Sequence, residues 1–518
     1  KSLALKPCNP QALINLSSIY KEIGDLGQAL DSILKLLELE PENPVAHMNL
    51  GGIYKEIGDL NKALSATLKS LELNSNNPDA YTNLGAIYEN LGNLDKALSC
   101  SMRSIELKTN NPNAINNING FIDHLSLNPS NARNLTRAYE ILLDQTNVSH
   151  RKLTRIFLQA YLPTIKEASE SEPIISENNN ALKNLATDWR FLKSLALLVP
   201  PSAEAEKFFI RLRKELLAQT IKKGTPTLEL RRLTEALATQ CFLNEYVYSI
   251  SQEENSCVSR LIDAACKNQE NFNRYLPIIG CYKAIHTIDI STELINNYPT
   301  PDESSKELIT AQYTEPCQEQ EIKALFEEES DTANDISQSV QKMYEENPYP
   351  RFRYSDHTEK ELSKTISGII KLETTKKNQY YPAELSSINI SPKVLIAGCG
   401  TGTQVIMASR YKNAQITAID LSSNSLAYAM RNTRNYGMND VNFKRMDLLN
   451  ASSLGKKFDV IECSGVLHHM KEPDKGLTAL IEQLKPCGYI KLGLYSEIAR
   501  SVIVEARSLI QKLGFTGT

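Results

Sequence analysis

An Asn-Pro pair recurs at Asn9-Pro10, Asn43-Pro44, Asn77-Pro78 and Asn111-Pro112, a constant step of 34 residues. The text between the pairs nearly repeats itself. "SIYKEIGDLGQAL" (18–30) is answered by "GIYKEIGDLNKAL" (52–64) and "AIYENLGNLDKAL" (86–98). A fixed period of this length restricts the fold more than any local propensity does. Each unit is one helix–turn–helix that cannot bury its apolar face alone, so the units must stack into a solenoid. Gly-Asp or Gly-Asn between the helices supplies the turn. Ala63 and Ala97 are small enough to let the second helix approach the first.

These residues resemble tetratricopeptide repeats. Leu50-Gly51, Tyr54, Gly58 and Ala63 stand in one unit, and Leu84-Gly85, Tyr88, Gly92 and Ala97 in the next. The resemblance covers residues 1 to about 125. The opening "SLALKPCNP" reads as the tail of an earlier repeat, and the last unit fades after Phe121. Such solenoids present a concave groove lined by the first helices, so the resemblance implies a protein or peptide partner. Asn15, Asn49, Asn83 and Asn117 share one position of the first helix. A similar asparagine ladder in the repeats of O-linked N-acetylglucosamine transferases holds a peptide backbone. The alternative is that Asn is merely frequent at that repeat position.

Residues 126–340 carry apolar residues at helical spacing and form a helical middle region. Residues 341–390 read as a linker that holds Asn347-Pro348-Tyr349-Pro350. That motif is superficially like the Asn-Pro-Pro-Tyr of amino-methyltransferases. It lies before the glycine loop rather than after a fourth strand, so the equivalence fails. A rigid interdomain turn is one reading. The other makes Tyr349 and Arg351 a flap over a cofactor.

From 391 to 518 the pattern changes. Short apolar runs at 393–398, 415–420, 441–447, 458–466 and 488–495 alternate with helical segments. This predicts an α/β domain with a parallel sheet and helices on both faces. The chain as a whole is therefore multidomain, an all-α solenoid and middle followed by a Rossmann-like part. The first run enters "VLIAGCGTGT" (394–403). A dinucleotide fingerprint, Gly-x-Gly-x-x-Gly, would need glycine at 403, where Thr403 stands. The observed Gly398-x-Gly400-x-Gly402 resembles the first motif of class I S-adenosylmethionine-dependent methyltransferases.

The resemblance spans roughly 385–518 and implies S-adenosyl-L-methionine as cofactor. Gly398, Cys399, Gly400, Thr401 and Gly402 would form its loop, with Cys399 a small buried spacer. Asp420 ends the second run, where a carboxylate accepts from both ribose hydroxyls, with Leu421 beside it. Asp447 matches the position that bonds the adenine amino group, flanked by Met446 and Leu448. Ser464 would shape the pocket wall with Cys463 and Gly465. "SGVLHHMKEPDKGLTALIEQLKPCGYIKLGLY" (464–495) looks like the fourth strand, its helix and the fifth strand, with "LKPCG" as the turn between. His468 and His469 follow the fourth strand, and either imidazole has a pKa suited to a general base near neutrality. The bland reading packs one beside the cofactor and lets the other cap a loop.

The implied function is a methyltransferase with a recruiting arm. A non-catalytic scaffold that still binds the cofactor is an alternative. An NAD(P) oxidoreductase is disfavoured by Thr403 and Asp447. The methyl acceptor is not legible. Family members continue into a sixth and seventh strand, whereas this sequence ends after the fifth. Its opening lysine likewise leads us to expect a piece cut at both ends.

Charge excludes little. The net charge is -4, with +6 on residues 391–518 and -10 on the rest. This gives no ground to expect nucleic acid or an anionic membrane as partner. Arg431, Arg434, Lys444 and Arg445 read as ordinary exposed charges or as a faint preference for an anion. No apolar run reaches the roughly 18–20 residues of a membrane span. Ten scattered cysteines without a Cys-x-x-Cys pair fit reduced thiols and a cytoplasmic protein. Cys257, Cys266, Cys281 and His286 are too irregularly spaced for a zinc site, and no metal is expected.

Overall fold

The computed structural model describes residues 9–22, 24–223, 226–326, 335–346, 348–376, 391–496 and 498–513. They form two compact units. One comprises residues up to 283 together with 290–308, and the other 284–289 together with 309 onward.

The first unit is helical, and its repeats explain the Asn-Pro period. Asn43, Asn77 and Asn111 are N-caps whose side chains accept from the backbone amides of the first turn. The following Pro44, Pro78 and Pro112 occupy the first helical turn, where a missing N–H costs nothing. Gly24, Gly58 and Gly92 stand between paired helices at φ of 85°, 95° and 76°. Asp25, Asp59 and Asn93 then cap the second helices. Repeat pairs run 10–22 with 26–39, 44–57 with 60–73, and 78–90 with 94–107. A fourth first helix, Pro112–Phe121, ends in one 3-10 turn. The second helices approach so closely that a Cβ on Gly51 would lie 2.1 Å from Thr67 Oγ1. One on Gly85 would lie 2.8 Å from Ser101 Oγ.

The rest of this unit is a helical assembly. Its helix Leu228–Leu243 is buried at every residue from Leu233 to Leu243, so it runs through a core rather than along a surface. Its buried Glu235 takes Arg231 at 3.0 Å and the Tyr298 hydroxyl at 2.8 Å. Among the described residues no group of three or more His, Cys, Asp or Glu is arranged to hold a metal. No helix among them is long and apolar enough to cross a membrane.

The second unit carries five strands: β1 (Lys393–Ala397), β2 (Gln415–Asp420), β3 (Asn442–Arg445), β4 (Phe458–Ser464) and β5 (Leu484–Gly493). All pair in parallel, in the order β3-β2-β1-β4-β5. Val394 and Ile396 point into one apolar cluster, with Ala418, Leu426 and Val460. Leu395 and Ala397 point into another, with Ile419, Phe458 and Leu480. Both faces of the sheet are thus covered, which is why β1 reads as a continuous apolar run. The chain leaves β1 for β2 on one side and later returns to β4 on the other. The carboxyl ends of β1 and β4 therefore flank the switch point where ligands bind such sheets.

Two expectations change. "LKPCG" lies inside β5 rather than before it: Leu484 pairs with Phe458 and Tyr489 with Val460, so the intervening residues bulge out. The break between units also falls at 283–309, inside the stretch assigned to the helical middle, and neither at 340 nor at 390. A buried ion cluster lies within the second unit. Arg431 pairs with Glu315 at 3.2 Å and with Glu319 at 2.7 Å, and Arg353 pairs with Glu315. These bonds tie helix 315–323 and the segment after Pro350 to helix 423–435.

Candidate active site

The glycine loop leaves β1 with Gly398, Gly400 and Gly402 at φ of 69°, 49° and 97°. Two of the three glycines answer to the protein's own packing. A Cβ on Gly398 would stand 2.3 Å from Val466 Cγ2, and one on Gly402 would stand 2.8 Å from Ala429. Only Gly400 opens outward, with Tyr349 O the nearest atom at 3.8 Å. Cys399 lies in the apolar cluster behind the loop, and burial pushes its thiol well up. Thr401 is buried and donates its hydroxyl to Pro350 O at 2.8 Å.

Asp420 closes the loop from below. Gly400 N donates to its Oδ2 at 2.8 Å and Ser422 N to its Oδ1 at 3.0 Å. Burial raises its pKa, against the lowering effect of these backbone donors. Leu421 O accepts from Arg445 Nε and Gln341 Nε2, each at 3.2 Å. Asp447 is 2 % exposed and caps the following 3-10 turn through Leu449 N at 2.9 Å. Leu448 is committed to the core, with Met446 packed against the same cluster. Ser464 ends β4; its carbonyl accepts from Gln404 Nε2 at 3.3 Å, and its side chain abuts Gly493. The loop, Asp420, Asp447 and Ser464 thus stand at the carboxyl ends of β1, β2, β3 and β4.

The sequence reading missed what lies over this edge. Helix 335–346 docks on the start of helix 423–435. The Glu345 carboxylate accepts from Ser423 N at 2.7 Å and Asn424 N at 3.1 Å, and faces Arg445 at 3.5 Å. A carboxylate at a helix N-terminus is favoured by the free amides and the dipole there. Tyr344 O accepts from Ser422 Oγ at 3.1 Å. Burial raises the Tyr344 pKa first, and the nearby Asp420, Tyr495 and Tyr349 add to it. Beyond Pro348, Phe352 exchanges two hydrogen bonds with the Tyr428 hydroxyl, at 3.0 and 2.8 Å. Asn347 itself lies outside the described residues. Tyr349 contributes its carbonyl above Gly400 while its side chain is largely exposed. The charge of Arg351 acts on Glu319 and Tyr428, in the ion cluster. One signal was available: Gln341, Tyr344 and Glu345 share one helical face.

His468 and His469 lie on the 3-10 turn after β4, with ring centroids 4.3 Å apart. The Tyr495 ring is tilted against His468 with centroids 3.7 Å apart, and the Arg500 guanidinium lies over the Tyr495 ring at 3.9 Å. Burial lowers the pKa of both histidines, and Arg500 lowers both further, so both rings are neutral at pH 7. Neither ring nitrogen of His468 is exposed or hydrogen-bonded. An unmet buried polar atom costs about 1–3 kcal/mol, so such a pair of nitrogens calls for an occupant.

In the solenoid, the asparagine ladder is turned partly inward. Asn117 Nδ2 donates to Thr82 O at 3.0 Å, and Asn83 Nδ2 reaches Met48 O at 3.5 Å. Asn15 Oδ1 accepts from Gln11. The amide nitrogens of Asn83 and Asn117 are thus spent on the preceding repeat, and among the described residues no hydrogen bond takes their oxygens.

Family models match both parts of the chain. A family model described as a methyltransferase domain matches residues 394–488. Tetratricopeptide repeat models match 10–43, 45–77 and 66–99. The chain joins tetratricopeptide repeats to a methyltransferase domain. An uncharacterised protein of Synechococcus sp. is 40% identical over 124 residues, which is 24% of this chain and 30% of that protein. A ubiquinone biosynthesis O-methyltransferase of Paracidovorax citrulli is 26% identical over 22% of this chain and 47% of its own length. A solved S-adenosylmethionine-dependent methyltransferase from Geobacter sulfurreducens, in complex with S-adenosyl-L-homocysteine, matches with 22% identity and a TM-score of 0.19. It covers 22% of this chain and 47% of that one. The chain spans less than half the length of these relatives.

Proposed function

We propose that the chain is an S-adenosylmethionine-dependent methyltransferase whose repeats recruit a protein or peptide. The observation that carries this is one edge of one sheet. The outward-facing Gly400, the clamped Asp420 carboxylate and the buried Asp447 follow three successive strands there. The residues fit the cofactor. Gly400 leaves room for close approach, Asp420 offers a carboxylate to ribose hydroxyls, and Asp447 offers one to an exocyclic amine. When bound, the cofactor supplies a methyl group already activated on a sulfonium.

The protein then has to orient and desolvate. Holding the acceptor in line with the methyl group supplies much of the rate. A base is needed only where the acceptor must lose a proton, and His468 or His469, neutral at pH 7, serves there. In the solenoid the free oxygens of Asn83 and Asn117 accept from a peptide backbone.

The test is calorimetric titration of S-adenosylhomocysteine into the chain, with NADH as control. Micromolar binding, about -8 kcal/mol, that Asp420→Ala abolishes supports the reading. Binding of NADH instead, or no binding by a folded chain, refutes it.

A further inference from the structure

The cluster beside the cofactor edge has an unbalanced charge. Arg500 has no carboxylate partner among the described residues; its guanidinium lies on the Tyr495 ring. The charges that act on His468 are those of His469 and Arg500, and on His469 that of Arg500. All are positive or neutral, and among the described residues no acid offsets them. Tyr344 links the cluster to the cleft, since both Asp420 and Tyr495 act on it. Both nitrogens of His468 are sealed from solvent and unpaired.

We propose that the methyl acceptor is an organic anion, its anionic group held by Arg500 and its nucleophilic atom by His468. This rests on the methyltransferase reading. The charge logic favours it. A base beside an uncompensated guanidinium resists protonation, because the imidazolium would face a like charge. An anion on Arg500 removes that penalty, so the acceptor makes its own base stronger on arrival. The acceptor O–H or N–H proton then passes to His468 while its lone pair bonds the methyl carbon. The carbon–sulfur bond breaks toward sulfur, which leaves a thioether, and the imidazolium returns its proton to water. A neutral analogue would lose both the ion pair and the activation.

The experiment uses the full chain saturated with S-adenosylhomocysteine, and benzoate and benzamide as probes. Ring-proton NMR follows the histidines, of which there are only seven. His468→Gln and His469→Gln assign their signals. Millimolar benzoate should raise the His468 pKa by about half a unit or more, while benzamide leaves it unmoved. Arg500→Gln should raise that pKa without any probe and erase the response to benzoate; Arg500→Lys should retain the response. A response to benzoate that survives Arg500→Gln, equal responses to the two probes, or none to either overturns the proposal. The heat of S-adenosylhomocysteine binding in the same sample reports on the methyltransferase reading separately.

Discussion

Adding one methyl group at Gly398 and at Gly400 separates two reasons for a glycine. At Gly398 the φ of 69° places alanine in the left-handed region, which costs about 1–2 kcal/mol. Its Cβ would also stand 2.3 Å from Val466 Cγ2 and 3.1 Å from Cγ1. Overpacking of that kind costs about 1–3 kcal/mol more. Gly398→Ala should therefore destabilise the sheet edge by about 2–5 kcal/mol. At Gly400 the φ is 49° and the nearest atom is 3.8 Å away, so only the backbone cost of about 1–2 kcal/mol applies. The new methyl of Gly400→Ala instead points where a cofactor would lie, and its effect should appear in binding. Hydrogen exchange of peptides covering 391–411 is the assay, because a chain of two units has no single unfolding free energy. Exchange should speed up about 10- to 100-fold more in Gly398→Ala than in Gly400→Ala. Val466→Ala should recover most of that difference. S-adenosylhomocysteine affinity should fall in Gly400→Ala at near-normal exchange. Equal exchange in the two variants, or an alanine at 466 that rescues nothing, would refute the packing argument.

Other perturbations test the remaining pieces. Glu345→Gln removes the charge that meets Ser423 N, Asn424 N and Arg445, so helix 335–346 should exchange faster by about 1–2 kcal/mol while β1 is unchanged. Both histidine pKa values lie below the unfolded value of 6.5, so the unfolded chain binds more protons as pH falls through that value. Stability should therefore be full above about pH 6.5 and drop below it, and less steeply in His468→Gln, as denaturant titration of the C-terminal unit would show. Gly51→Ala should destabilise the repeats despite the helix propensity it gains, because its Cβ meets Thr67 Oγ1 at 2.1 Å; Thr67→Ala should reverse the loss in a circular-dichroism melt. Asn117→Ala loses its bond to Thr82 O and should weaken capture of a bound peptide by about tenfold, read by fluorescence anisotropy.

The solenoid was legible because its signals are local and repeat. Asn-Pro, Gly-Asp and the small Ala are read within one turn or one helical pair. The same holds for β1 and its loop, where an apolar run meets three glycines, and for the acids that end β2 and β3. The sequence could not say why each glycine is there. Gly398 and Gly402 answer to Val466 and Ala429, residues brought to them only by the fold. Nor could it place the helix over the site, since Glu345 meets Ser423 across 78 positions and Glu319 meets Arg431 across 112. The meeting of His468 with Tyr495 and Arg500 is likewise a product of tertiary structure. Sequence alone determined the elements, the glycine loop and the acids that follow the strands, because helix caps, periodicity and positive φ act over a few residues. Tertiary structure decided what covers the carboxyl edge of the sheet and which charge lies beside the histidines, because those depend on contacts whose partners are far apart in the chain.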